Sequence, residues 1–169
     1  MKTLSTVLIV GMTAIATAAS ATANSFFEIA AQGGKAEVEA GQLAESKGTS
    51  AEVREFGAMM VEHHGAANRK LEDLAKAKGI TLPTTPSKAQ LDSIKALQSK
   101  KGARFDQDYL AEQIKAHEET VQLLKSEIAA GQDADAKAFA REMLPTVESH
   151  LRKAYHLAGK DEIADAMPK

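Results

Sequence analysis

The side chains with the most chemistry in this chain are its five histidines. His63 and His64 stand side by side in "MVEHHGAANRKLEDLA", residues 59–74, and the others are His117, His150 and His156. Imidazole binds transition metals and moves protons, and when buried it needs a hydrogen-bond partner. There is no cysteine, so thiolate metal sites, disulfides and cysteine nucleophiles are excluded. Serines occur mainly at caps and in loops, and nothing argues strongly for acid–base or nucleophilic catalysis. No strand–turn–helix phosphate loop occurs. The chain therefore reads as a binding or structural protein rather than an enzyme.

Helices must position these residues. Ala, Glu, Lys, Leu and Gln dominate, β-branched residues are sparse, and no alternating strand pattern appears. Apolar periodicity and stop signals predict long helices over 25–47, 50–78, 103–130 and 133–158, and a short one over 88–99. Ser50 serves as an N-cap, and Gly48, Gly79, Gly131 and Gly159 close the segments. "ITLPTTPS", 80–87, is a loop. Four amphipathic helices of about 37 Å each, at ~1.5 Å per residue, make an all-α four-helix bundle with a short extra helix in the connection between the second and third. Gly33, Gly34 and Gly41 in the first helix point to close helix–helix approach, because glycine costs a helix ~1 kcal/mol relative to alanine.

At ~100° per residue every side chain can be assigned a face. On the first helix Phe26, Phe27, Ile29, Ala30, Gly34, Ala40 and Ala44 share one side, with Glu37 at its centre. On the second, His64 lies mid-stripe among Val53, Phe56, Met60, Leu71 and Leu74, with His63 at one edge and Asn68 at the other. On the third, His117 is central, with Gln113 one turn earlier. On the fourth, His150 faces inward slightly off centre, and His156 faces solvent. Each long helix thus supplies one inward polar residue near its middle: Glu37, His64, His117 and His150. Their depths agree within ~8 Å along the bundle.

Two readings follow. Three imidazoles and a carboxylate suit one Zn²⁺ in four-coordination and also accept Cu²⁺, Ni²⁺ or Fe²⁺. Inward Met60 and Met143 would soften such a site towards copper, although methionine more often fills gaps in a core. Alternatively the same residues, with Asn68 and Gln113, form a metal-free polar network in which Glu37 pairs with a protonated histidine. Pro145 falls on the outer face of the fourth helix, where it deprives Arg141 of a hydrogen-bond partner and favours a kink.

The N-terminus "MKTLSTVLIVGMTAIATAASATA" has the form of a secretory leader: Lys2, an apolar stretch from Leu4 to about Ala18, and Ala21-Thr22-Ala23 as a cleavage site. The expected division is a signal peptide over 1–23, one domain over 24–158 and a flexible tail over 159–169. Loss of the leader removes only Lys2 among the charges, taking the formal net charge from −2 to −3. That balance argues against a nucleic-acid partner, which would demand a basic face. No later segment reaches the ~20 apolar residues of a membrane span, and a protein partner is not indicated. The expected location is periplasmic or secreted, in a bacterium.

The stretches "FFEIAAQGGKAEVEAGQLAESKG", "MMVEHHGAANRKLEDLAKAKGITLP", "FDQDYLAEQIKAHEET" and "REMLPTVESHL" together resemble a large bacterial family of secreted ferritin-like domains of unknown function, whose members often carry the label of outer-membrane proteins. The resemblance spans about residues 25–158. It implies a ferritin-like four-helix bundle and no established activity. A ferritin-like di-iron centre needs Glu-x-x-His on two helices. Here Val61, Ile114 and Val147 stand three residues before His64, His117 and His150. Di-iron chemistry is thus not expected, and one mononuclear site or none fits the residues. No barrel-like alternation supports an outer-membrane location.

Overall fold

The computed structural model describes the backbone of residues 14–167 and the side chains of 25–167. All regular structure among these residues is helical. Six helices follow in order: α1 Ala14–Lys47, α2 Ala51–Ala77, α3 Lys88–Gln98, α4 Ala103–Ala130, α5 Ala134–Leu157 and α6 Asp161–Ala166. Most of the expected leader lies outside the described residues, and 14–23 form the first turns of α1. No helix of the described residues is long and apolar enough to cross a membrane.

The helix ends follow local chemistry. Ser50 caps α2 by accepting from Val53 N–H at 3.1 Å, and Asp133 caps α5 by accepting from Asp135 and Ala136 at 3.0 and 2.9 Å. Ser87 and Gln90 form a capping box on α3. Gly79 and Gly159, after α2 and α5, both have φ of +68°, the left-handed conformation that ends a helix. Within the segment expected as a tail, residues 161–166 form α6. The reversal at Gly159 folds the chain back so that Ala164 is buried against the bundle.

α1 and α2 pack as one hairpin, and α4 and α5 as another. Asp106, near the start of α4, accepts from the backbone N–H groups of Thr49 and Ser50 in the α1–α2 turn, at 2.8 and 2.9 Å. Lys78, past the end of α2, pairs with Asp133 and Asp135 at the start of α5, each at 2.7 Å. α2 and α4 therefore run in the same direction, and residues 78–102, with α3, carry the chain back along the bundle. α3 packs on α1 and α4.

Two aromatic groups bracket the core. Phe26, Phe27 and Phe139 meet edge-on towards one end, and Phe56, Phe105 and Tyr109 cluster near the α1–α2 turn. The histidines lie between these groups. The apolar stripes on α2, α4 and α5 are buried much as the periodicity requires. Ile29 departs from it: α1 leaves it 50% exposed, beside α3 rather than inside the core. Pro145 is exposed within a continuous α5.

Candidate metal centre

Glu37, His117 and His150 are buried, at 7, 1 and 2% exposure. His64 is partly exposed as a residue, but its Nε2 is enclosed. One nitrogen from each of His64, His117 and His150 lies within 4.8 Å of the other two. Their ring centroids stand 5.4–5.5 Å apart, pair by pair. A point equidistant from three atoms at that upper limit is about 2.8 Å from each, so bonds of ~2.0–2.1 Å require a closure of ~0.7 Å per ring.

The second nitrogen of each ring shows what the first is free to do. His117 Nδ1 donates to the main-chain carbonyl of Gln113, one turn earlier on α4, at 2.9 Å. In the neutral ring this leaves the Nε2 lone pair open, and that atom is buried without a partner. His150 Nε2 lies 2.8 Å from His63 Nδ1, and His150 Nδ1 is the buried atom without a partner. The His150 tautomer with its proton on Nε2 leaves that lone pair facing inward and lets His63 Nδ1 accept, whereas the other tautomer reverses the bond. His64 Nε2 is also buried and unpartnered. Burial, then the neighbouring His117, His150 and His63, hold the His64 pKa well below the ordinary 6.5. Burial, then His117 and His63, push His150 down to about 3. These two rings are neutral at neutral pH, the form that binds metals.

Glu37 is not part of this trio. Its carboxylate accepts from Gln113 Nε2 at 2.8 Å and lies 4.0 Å from His117 Nδ1, on the ring's outer nitrogen. A four-ligand set that includes Glu37 is therefore not assembled in the structure. Glu37 stands behind His117, and next to Tyr109, whose hydroxyl pKa is raised by burial and then by this carboxylate. Asn68 nests against α1 where Gly34 leaves room: a Cβ there would fall 1.9 Å from its Oδ1. Met60 packs at the α1–α2 contact, and Met143 lines a neighbouring cavity.

His63 is the residue that the sequence undervalues. Its place on the edge of the α2 stripe was legible. Its edge-to-edge contact with His150, centroids 5.1 Å apart and ring planes 20° apart, depends on α5 being the neighbour of that edge, which helical periodicity does not specify.

A cavity of about 330 Å³ adjoins the cluster. Residues from α1 to α5 line it, among them Glu37, His63, His64 and His150.

The fold and the site together define a class: an all-helical protein with three histidines from three different helices converging in a buried layer. Within that class, the chain belongs to the family described as Domain of unknown function (DUF4142), whose model matches residues 10–157. No curated protein and no solved structure matches the chain.

Proposed function

We propose that this protein is a periplasmic or secreted four-helix bundle of ferritin-like architecture that binds one transition-metal ion through His64, His117 and His150. The observation that carries this reading is the convergence of three imidazoles, each with one buried nitrogen that no protein group satisfies. Three such atoms in one layer would each cost ~1–3 kcal/mol if left unpaired, and one ion satisfies all three. The outer contacts have the pattern that orients metal-binding histidines: a main-chain carbonyl behind His117 and a second imidazole behind His150. Glu37 then acts as a carboxylate beyond His117 that offsets the ion's charge. The fourth position falls to water or an exogenous ligand, and Zn²⁺ or Cu²⁺ suits three imidazoles best. The chain crossing back between α2 and α4 supports the ferritin-like architecture.

A second reading has one observation in its favour. Glu37 pairs with Gln113, and His63 with His150, without any ion, so a metal-free envelope protein with a polar core layer is the alternative.

Metal content measured by mass spectrometry decides between them, on untagged protein purified without chelator beside the His64→Ala/His117→Ala double variant. About one equivalent of a single metal in the wild type, lost in a folded double variant, is the expected result. No native metal, and no uptake of added Zn²⁺ or Cu²⁺, would overturn the metal reading.

A further inference from the structure

The cavity beside the histidines differs in character along its length. Glu37, His63, His64 and His150 contribute to it at the metal layer. Leu71, Ile94, Leu123, Leu124, Phe139 and Val147 give it a long apolar wall. Its exposed charged residues, all on α4, are Glu112, Lys115 and Glu119, two acids against one base. Its volume of about 330 Å³ lies within the ~300–1,000 Å³ of small-molecule sites.

We propose that this chamber binds a small amphipathic carboxylate, a medium-chain aliphatic acid, with its head on the metal held by His64, His117 and His150 and its tail along the apolar wall. The proposal rests on the metal reading given above. Three neutral nitrogen ligands leave a coordination position that a carboxylate oxygen fills without displacing a protein ligand. The ion is what places the head, since Glu112, Lys115 and Glu119 on α4, two glutamates beside one lysine, give an anion no net attraction. Glu37 makes the binding metal-dependent. Without the ion, a carboxylate head at the histidine end of the chamber would stand beside the Glu37 carboxylate with no metal to hold it. The tail sets selectivity: each methylene buried against the wall should tighten binding about fourfold, until the chamber is filled.

The test uses the protein loaded with Co²⁺, whose visible absorption reports its coordination sphere. Cobalt stoichiometry is measured first, and acetate, butanoate and octanoate are then titrated in turn. One Co²⁺ per chain, saturation by one octanoate with a changed cobalt spectrum, and affinity rising steeply from acetate to octanoate are expected. Leu123→Trp, which fills the chamber away from the histidines, should keep one Co²⁺ and weaken octanoate at least tenfold. The chain-length series tests the wall independently if that variant does not fold. Cobalt bound with no spectral response to octanoate, or with acetate binding as tightly as octanoate, overturns the chamber and leaves the metal reading intact. Octanoate bound equally well by metal-free protein overturns the placement of the head. Failure to bind cobalt, Zn²⁺ and Cu²⁺ alike overturns both readings.

Discussion

His150 commits one ring nitrogen to His63 and turns the other inward, so a surface residue governs a buried one. His63→Ala should leave the metal stoichiometry at one but weaken Zn²⁺ binding ~10–100-fold, as loss of an outer partner of a metal-binding histidine does. Competition against a chromophoric chelator measures this, and unchanged affinity would show His63 to be a bystander. The depressed pKa values of His64 and His150 also set a pH dependence for the metal-free protein. The unfolded chain takes up these protons near 6.5, and the folded His150 only at about 3. Their contribution to stability is therefore fully present above pH ~6.5 and is lost as pH falls towards 3. Urea midpoints across that range should decline with acid in the wild type and less steeply in His150→Gln. At this scale the sequence conveys rotation well and depth poorly. Rotation of ~100° per residue puts His64, His117 and His150 inside correctly. It also puts Glu37 inside, where it is, but carries no information on which nitrogen of His117 the carboxylate approaches.

The glycines of α1 and α2 show how helices are held at the distance that the site needs. A Cβ at Gly57 would lie 2.7 Å from both the Gly41 carbonyl oxygen and the Ala44 Cβ. Backbone meets backbone there, so Gly57→Ala must push the two helices apart. A loss of about 1–3 kcal/mol is expected despite alanine's better helix propensity. Gly33→Ala is the control. Its Cβ would meet nothing nearer than Gln90 Nε2 at 4.0 Å, so propensity should prevail and stabilise by up to ~1 kcal/mol. Thermal unfolding of both variants measures the contrast, and equal shifts would refute this account of the contact. The glycine pattern therefore signalled close approach correctly for Gly41 and wrongly for Gly33. A glycine in a helix reads the same whether it faces a neighbouring backbone or open space. Helix ends were more legible, because Ser50, Asp133, Gly79 and Gly159 act through bonds and dihedral angles within a few residues of themselves.

For the molecule as a whole, the four long helices were readable from periodicity, whereas the direction of α4 was not. A connection over 78–102 is long enough to return the chain or merely to loop it, and the choice depends on Asp106 meeting the α1–α2 turn across more than fifty residues of sequence. The proposed metal binding would have a global readout as well. Free Zn²⁺ at ~100 times Kd should add about 2.7 kcal/mol to stability, a rise in Tm of several degrees that EDTA reverses. Calorimetry that finds no such rise would count against a site confined to the folded state. The three histidines are also divided between the hairpins: His64 belongs to the α1–α2 pair, His117 and His150 to the α4–α5 pair. An ion on all three would act as a clasp across the seam, since the hairpins cannot part without releasing it. Where metal is scarce the seam would open more often and expose cleavable chain, so the protein's lifetime among proteases would follow the metal supply around it.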